Sequence, residues 1–240
     1  MIILLSPAKT FAKETMPCNS TPIFYKDALS MIHKLKRCSV SKLSKDMGIS
    51  IDLAQEAQTN YRLFEEQKTC AIYAYDGYAF KGFDINSLKN ESQTYLSSHL
   101  YILSGLFGLV RPYDCISPYR LEIKDKTIKN LYDFWKPKIK DYMDIHHPNQ
   151  ILINLASKEY SKVLDETLHV TTISFYQNVN HTYKSISMHV KFMRGKMANY
   201  LISNQIEDLN QIKSIDLDGY TYDLTKSSDA DIAFSKEVNL

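Results

Sequence analysis

Two short apolar runs predict strands that are buried on both faces of a sheet. The first is Met1-Ile-Ile-Leu-Leu5, which ends at Ser6-Pro7, and the second is Ile151-Leu-Ile-Asn-Leu-Ala156, which Ser157 follows as a helix N-cap. If these strands are parallel neighbours, the loops that follow them meet at one edge of the sheet. That edge is where α/β proteins usually bind their ligands.

Helical patterns lie between these two runs. Apolar side chains recur with helical spacing over residues 25–36 and again over residues 51–66. The chain contains no fixed-period repeat, low-complexity tract or Pro/Ser-rich linker. We therefore expect a single domain that spans residues 1–240.

Further strands are expected in the second half of the chain. Residues 170–176 and 183–190 have strand character and enclose a polar turn at 178–181, and Asp218-Gly219 is typical of a tight hairpin turn. Hairpins and buried parallel strands in one chain indicate a mixed sheet. The predicted fold class is α/β, with a mixed sheet core and surrounding helices.

The composition agrees with a folded, soluble protein. Of the 240 residues, 44% are hydrophobic and 23% are charged, as in globular proteins. The longest apolar runs fall far short of the roughly 20 residues that a membrane span requires. The N-terminus also lacks the basic region and long apolar core of a signal peptide. We therefore expect a cytoplasmic protein with no membrane partner.

The cysteines and histidines follow no metal-binding pattern. Cys18, Cys38, Cys70 and Cys115 are far apart and include no C-x-x-C pair, so we expect four reduced thiols and no structural zinc. The histidines lack the spacing that is typical of metal ligation. We therefore predict no metal and no cofactor.

The near-neutral total charge hides an uneven distribution. Basic residues exceed acidic residues by 29 − 27 = +2. Residues 31–48 contain five basic residues and one acid, residues 184–197 contain four basic residues and no acid, and residues 205–231 contain seven acids and two lysines. These segments form either a basic face that attracts polyanions or ordinary solvated helix faces, and the sequence leaves both interpretations open.

One candidate anion site is a tight turn between two predicted helices, near residues 40–66. Gly48, Ile49 and Ala54 match the pattern Gly-hydrophobic-Gly-x-x-x-Ala of the DNA-binding helix-hairpin-helix, which offers backbone N–H groups to a phosphate. Ser50 replaces the second glycine and suits a helix N-cap. A plain corner between two helices is the alternative. The candidate phosphate contacts here are Lys42, Lys45, Gly48 and Ser50.

Two further candidate anion sites are a pair of arginines and a group of cations at the predicted sheet edge. Arg111 and Arg120 flank a segment with two prolines, which restrict the backbone and suit a preorganised pair of guanidinium groups. Salt bridges to Asp114, Glu122 or Asp133 are the alternative use of these arginines. Lys9 and Lys158 follow the two buried strands and are expected to meet at the predicted sheet edge, where Lys191 and Arg194 are candidates to complete a basic cleft.

Several longer motifs, taken in order, resemble one protein family. The motifs are Ser6-Pro-Ala-Lys-Thr10, Leu103-Ser-Gly-Leu-Phe-Gly-Leu-Val-Arg-Pro112, Ser117-Pro-Tyr-Arg-Leu-Glu122, Leu131-Tyr-Asp-Phe-Trp135 and Ile153-Asn-Leu-Ala-Ser157. Their order resembles the YaaA family of bacterial peroxide-stress proteins over nearly the full chain. The resemblance implies a cytoplasmic protein that protects against hydrogen peroxide, limits damage linked to free iron, and binds duplex and distorted DNA.

The same resemblance implies a mixed α/β architecture, the so-called cantaloupe fold, with a positively charged cleft and a helix-hairpin-helix. By matching motif, the resemblance makes six residues the cleft candidates: Lys9, Arg111, Arg120, Lys158, Lys191 and Arg194. Two departures from the family lower the charge expected of the cleft. Asp76 stands where relatives commonly have lysine, and Phe192 follows Lys191 where another basic residue is common. We therefore expect weaker DNA binding than the family pattern alone implies.

Two hypotheses about function follow. The first is a DNA-binding protein of the peroxide response that contacts phosphates and reads no bases. The second is an enzyme that acts on a nucleotide or another phosphorylated small molecule in the cleft. The chain contains no G-x-G-x-x-G, G-x-x-x-x-G-K-[ST] or G-x-S-x-G motif, so its catalytic residues are unknown and non-enzymatic DNA binding is preferred.

Overall fold

Strand β1, Ile2–Leu5, lies inside the main sheet because all four of its side chains are apolar and buried. The computed structural model describes residues 1–180 and 182–238. It pairs β1 in parallel with β3, Leu100–Ser104, on one side and with β6, Leu152–Asn154, on the other. The two buried strands predicted from the sequence are therefore parallel neighbours.

The described residues form ten strands in two sheets. The main sheet has the order β4-β3-β1-β6-β7-β10-β9, with β8 paired to β7, and β2 and β5 form a separate ribbon. Strands β3, β1, β6, β7 and β10 run parallel, whereas β4, β8 and β9 are antiparallel to their neighbours. The remaining bounds are β2 Thr69–Cys70, β4 Gly108–Val110, β5 Cys115–Ile116, β7 Val170–Val179, β8 Thr182–Lys184, β9 Thr221–Tyr222 and β10 Asp231–Glu237.

Helices surround the main sheet, which confirms the predicted mixed α/β fold class. The α-helices of the described ranges are α1 Tyr25–Lys36, α2 Val40–Met47, α3 Ile51–Arg62, α4 Ala71–Ala74, α5 Tyr78–Phe83, α6 Asn90–His99, α7 Leu131–His146, α8 Ser187–Ser203 and α9 Leu209–Lys213. Short 3-10 helices span Ile85–Ser87 and Tyr160–Val163. Helix α1 has the predicted bounds, whereas α3 ends four residues before the predicted end.

The strand predicted over residues 183–190 is wrong in its second half. Strand β8 ends at Lys184, and α8 begins at Ser187. Met193 and Met197 follow at helical spacing and are buried where α8 packs on β1 and β7. The β-branched residues before them favour a strand locally, but burial of this helical face decides the conformation.

The predicted hairpin turn at Asp218-Gly219 has the backbone conformation that such a turn requires. Asp218 and Gly219 have φ angles of 57° and 79°. Leu217 and Tyr220 bridge across them, so the predicted hairpin turn is present. In the turn predicted at 178–181, His181 lies outside the described residues.

The prediction of four reduced thiols is wrong for two cysteines. Cys18 and Cys115 form a disulfide, whereas Cys38 and Cys70 are free thiols. A separation of 97 residues gives no sequence signal for this pair. The contact arises because the segment after β1 crosses the β2-β5 ribbon, where the backbone N–H of Cys115 donates to the Ser20 carbonyl oxygen.

The buried apolar side chains form one core cluster, which includes β1, β3 and Trp135. The indole N–H of Trp135 donates to the Gly105 carbonyl oxygen at 2.9 Å.

Within the described residues, no helix combines the length and the apolar character that crossing a membrane requires. The prediction of a single domain over residues 1–240 stays a prediction.

Two glycines allow α5 and α8 to pack with their backbones in contact. A β-carbon at Gly195 would overlap the carbonyl oxygen of Ala79, and one at Gly82 would overlap the carbonyl oxygen of Phe192. Only glycine permits this separation between the helices. The contact therefore sets the position of α8 against α5.

Replacement Gly195→Ala is expected to destabilise the protein. The new methyl group forces two helix backbones apart, which costs about 2–3 kcal/mol, while alanine recovers about 1 kcal/mol through its helix propensity. We expect a net loss of about 1–2 kcal/mol in the free energy of unfolding, measured by urea denaturation. The control is Met188→Ala, at an exposed position of the same helix. Equal stability of both variants would contradict the packing argument.

Candidate functional site

A cleft of about 550 Å³ opens at the carboxyl ends of β1 and β6. Strand β1 lies between β3 and β6, so the loop after β1 and the loop after β6 both leave the sheet at this edge. Residues 6–10 follow β1 and line the cleft, as do residues 157–160 after β6. This is the edge at which the sequence predicts a ligand site.

Helices α5 and α8 form another wall of the cleft. Tyr78 and Phe80 line it from α5, and Lys191 and Arg194 line it from α8. Because the two helices are in backbone contact at their glycines, the cations of α8 and the aromatic residues of α5 line the same part of the cleft. The segment 119–122 completes the lining together with Lys124.

The structure places five of the six predicted cleft cations in the lining. These are Lys9, Arg120, Lys158, Lys191 and Arg194. Arg111 is outside the cleft, where its guanidinium pairs with Asp114 at 2.9 Å and donates to the Thr21 carbonyl oxygen at 2.7 Å. For Arg111, the alternative of a structural salt bridge is therefore the observed one, because Asp114 lies only three residues away and is fully buried.

Two glutamates neutralise part of the cleft. Lys9 pairs with Glu122 at 2.7 Å, and Lys124 pairs with Glu159 at 2.9 Å and with Glu122 at 3.6 Å. Within residues 1–180 and 182–238, no acidic group lies at ion-pair distance from the other four lining cations. These four are Arg120, Lys158, Lys191 and Arg194. The cleft therefore keeps a net positive charge.

Two guanidinium groups in the cleft have buried donors without partners. The Nε–H groups of Arg120 and Arg194 are buried and form no hydrogen bond with the described residues. Burial lowers the pKa of Arg194, an effect that the nearby Asp231 opposes, but arginine stays protonated at neutral pH. An unpaired buried donor costs free energy, so an anion that accepts from these groups would be favoured.

The cleft hydroxyl groups hold the loops in place. Ser6 Oγ accepts from the Ser157 backbone N–H at 2.8 Å, which ties the loops after β1 and β6 together. Tyr119 lies 3.0 Å from Tyr75 and 2.7 Å from Ser104 through its hydroxyl oxygen, and burial raises the pKa of Tyr119 to about 12. Ser6, Ser157 and Tyr119 therefore give the cleft a neutral, hydrogen-bonded part of its lining, and Tyr75 and Ser104 support Tyr119 from outside that lining.

The predicted helix-hairpin-helix segment consists of α2, a short turn and α3. Gly48 ends α2 with a φ angle of 63°, and Ser50 caps α3 by accepting from the Leu53 N–H at 3.3 Å. The space around Gly48 is open, so the turn is accessible. DNA contact by this turn stays a prediction, and its residues are not part of the cleft lining.

The charges near this turn are mixed. Lys42 pairs with Asp46 at 2.5 Å, which leaves Lys45 as the exposed lysine of α2 without an ion pair among the described residues. Asp52 lies in the first turn of α3, where a phosphate would approach. The turn is therefore less favourable to an anion than the cleft.

Sequence reasoning missed two charged lining residues, Lys124 and Glu159. Glu159 follows Lys158 directly, but its pairing with Lys124 joins positions that are 35 residues apart.

In the part of the chain that the structure describes, no group of three or more His, Cys, Asp or Glu side chains could hold a metal ion.

Comparisons with known proteins point to one family. The family model described as "Peroxide stress protein YaaA" matches residues 1–226. The chain is 35% identical to a UPF0246 protein of Clostridium botulinum, with 99% of this chain and 100% of the relative covered. It is also 35% identical to UPF0246 proteins of Francisella philomiragia (98% of this chain and 100% of the relative) and of Legionella pneumophila (98% of each).

The stability of the fold is expected to depend on Asp125, next to the cleft. Burial raises the pKa of Asp125 to about 6, although its carboxylate accepts from the Glu122 N–H at 2.7 Å. The protonated carboxyl therefore stabilises the fold below pH 3.8, and this contribution is lost as the pH rises through about 6. Asp125→Asn keeps an acceptor and cannot ionise.

We expect Asp125→Asn to gain stability relative to wild type as the pH rises. The difference in the free energy of unfolding, variant minus wild type, should be about 2 kcal/mol larger at pH 7.5 than at pH 4.5. Urea denaturation at the two pH values measures this difference. The matched control is Asp133→Asn, at an exposed position. The same pH dependence in both variants would show that burial of Asp125 is not the cause.

Proposed function

Because the chain belongs to the peroxide stress protein YaaA family, we propose that it is a DNA-binding protein of the peroxide response. The proposal rests on one observation, the convergence of four cations on a concave surface without acidic partners among the described residues. Lys158 and Lys191 are exposed, whereas Arg120 and Arg194 lie deeper. Such a surface binds phosphates, and contacts to phosphates alone carry no base sequence.

The depth of the cleft supports a preference for distorted DNA over regular duplex. A volume of about 550 Å³ suits a nucleotide, not the body of a duplex. A regular duplex therefore contacts the exposed Lys158 and Lys191, while a displaced or unstacked nucleotide also reaches Arg120 and Arg194. Guanidinium groups bind phosphate in a bidentate manner, so the deeper contacts add affinity for distorted sites.

The turn between α2 and α3 is the second proposed DNA contact. Gly48 and Ser50 leave the backbone at the start of α3 accessible, and Lys45 adds an exposed positive charge. A helix N-terminus of this kind favours a phosphate through its free N–H groups. Its contribution to affinity is smaller than that of the cleft, because Asp46 and Asp52 lower the local positive charge.

The same phosphate contacts account for protection against iron-dependent damage. Cations that are condensed on DNA, Fe²⁺ among them, are released where a protein neutralises phosphates. Peroxide then meets less iron beside the DNA backbone. The proposal includes a cytoplasmic location, since bacterial chromosomal DNA lies there.

Binding to a labelled duplex is expected to weaken steeply with salt. For about four phosphate contacts, log affinity falls against log salt with a slope near −3.6. Lys158→Ala should weaken binding several-fold and reduce the size of this slope by about one, because one contact is lost. Fluorescence anisotropy between 50 and 200 mM salt measures both quantities.

The matched control is Lys89→Ala, which removes an exposed lysine outside the cleft. A slope near zero in the wild type, or equal losses in Lys158→Ala and Lys89→Ala, would refute binding through the cleft. Lys45→Ala separates the two proposed contacts. If it changes neither affinity nor slope while Lys158→Ala changes both, the turn makes no DNA contact.

Protection of DNA is expected to follow binding. Plasmid nicking by Fe²⁺ and peroxide should fall when the protein saturates the plasmid, and Lys158→Ala should protect less in proportion to its lost affinity. Gel electrophoresis of nicked plasmid measures the effect, with Lys89→Ala as the control. Full protection at a salt concentration that releases the DNA would show that phosphate contacts are not the mechanism.

A phosphorylated small molecule is the second candidate ligand, and an enzyme that acts on it is the corresponding function. The unpartnered Nε–H donors of Arg120 and Arg194 support this alternative, because a duplex at the rim leaves them unpaired. Calorimetric titration with a nucleoside monophosphate distinguishes the candidates. Tight binding that Arg194→Lys abolishes, together with chemical turnover of the nucleotide, would favour the enzyme over the DNA-binding protein.

A further inference from the structure

The Cys18–Cys115 disulfide lies next to the segment that forms a cleft wall. Residues 6–10 line the cleft, and the chain then runs across the molecule to Cys18. Cys115 belongs to β5 of the separate two-stranded ribbon. Both cysteines are partly exposed, so a small oxidant in solution has access to the pair.

Hydrogen bonds on either side of Cys18 hold it beside Cys115 without help from the disulfide. On one side, the Cys70 backbone N–H donates to the Met16 carbonyl oxygen at 3.1 Å. On the other side, the Cys115 backbone N–H donates to the Ser20 carbonyl oxygen at 2.7 Å. The Ser20 hydroxyl also donates to the buried Asp114 carboxylate at 2.8 Å. The reduced protein therefore keeps the two thiols close together.

The distance between the α-carbons, 5.2 Å, is within the range that a disulfide spans without backbone movement. We propose that Cys18 and Cys115 are a peroxide-oxidisable dithiol site, with hydrogen peroxide as the oxidant and a dithiol of the thioredoxin class as the reductant. Oxidation adds a covalent link between the segment after the cleft loop and the β2-β5 ribbon, and reduction removes that link while the hydrogen bonds beside Cys18 remain.

The chemistry proceeds in two balanced steps. One cysteine thiolate attacks a peroxide oxygen, the O–O bond breaks, and the products are a sulfenic acid and hydroxide. The second thiol then attacks the sulfenic sulfur, which forms the S–S bond and releases water. Overall, two thiols and one peroxide yield one disulfide and two waters. Reduction transfers two electrons from the external dithiol by thiol–disulfide exchange.

The other two cysteines compete poorly for this chemistry. Cys70 lies opposite Cys115 in the ribbon register, but it is buried and its thiol donates to the Pro112 carbonyl oxygen at 3.4 Å. Burial raises the pKa of Cys70 to about 11, so it stays a protonated thiol and a poor nucleophile. Cys38 lies between α1 and α2, outside the ribbon.

The segment between the cleft loop and Cys18 contains an exposed protease site. Phe11 bridges to Tyr75, and Met16 donates its N–H to Thr69, while Lys13 between these two anchors is exposed. Cleavage after Lys13 requires this stretch to leave the surface. A disulfide at Cys18 restrains that movement and slows the cleavage.

The test uses the full chain, reduced with dithiothreitol and then freed of reductant. Stoichiometric hydrogen peroxide is added, and mass spectrometry counts the remaining free thiols and maps the disulfide. We expect two thiols to be lost within one molecule as a Cys18–Cys115 bond, and thioredoxin to restore them. Trypsin should cleave after Lys13 several-fold more slowly in the oxidised protein.

Cys18→Ser and Cys115→Ser should form no intramolecular disulfide, and their cleavage rates should not respond to peroxide. Ser20→Ala keeps both thiols but loses the hydrogen bond to Asp114, so its disulfide should form several-fold more slowly, and Ser20→Thr should restore the rate.

Retention of all thiols after peroxide, a bond to Cys70 or Cys38, or resistance to thioredoxin would overturn the inference. None of these measurements uses DNA, so they are independent of the proposed function.

Discussion

The parallel pairing of β1 with β3 and β6 is the constraint on which the rest of the structure depends. A strand whose four side chains are all apolar must be covered on both faces, and this requirement places it inside the sheet. Its two neighbours run in the same direction, so the loops after β1 and β6 leave at one edge. The cleft opens at that edge, at the point where the strand order reverses.

The charge of the cleft depends on backbone packing more than on ion pairs. Glycines at 82 and 195 bring α5 and α8 together, and this contact holds Lys191 and Arg194 over the sheet edge. Glu122 and Glu159 neutralise only the two lysines that they contact. The buried Nε–H donors of Arg120 and Arg194 find no acceptor among the described residues, which is unfavourable for the folded protein.

The segment after β1 connects two chemistries in this protein. Its first residues line the anion cleft, and its last residues cross the β2-β5 ribbon, where Cys18 meets Cys115. Arg111 belongs to the second region, because its pairing with Asp114 supports the backbone that carries Ser20 and Cys115. An arginine that the family motif suggests for anion binding thus has a structural task beside the Cys18–Cys115 disulfide.

The amino-acid sequence alone determined the features that depend on neighbouring residues: the two buried strands, the bounds of α1, the hairpin turn at Asp218-Gly219 and the fold class. It also identified five of the cleft cations. Parallel strands deliver Lys9 and Lys158 to one edge, and motifs shared with the family carry Arg120, Lys191 and Arg194. Only the tertiary structure decided the Cys18–Cys115 bond, the pairing of Lys124 with Glu159 and the place of Arg111. These depend on which distant segments meet, and a contact across 35 or 97 residues is set by the packing of whole elements and has no signature in local pattern.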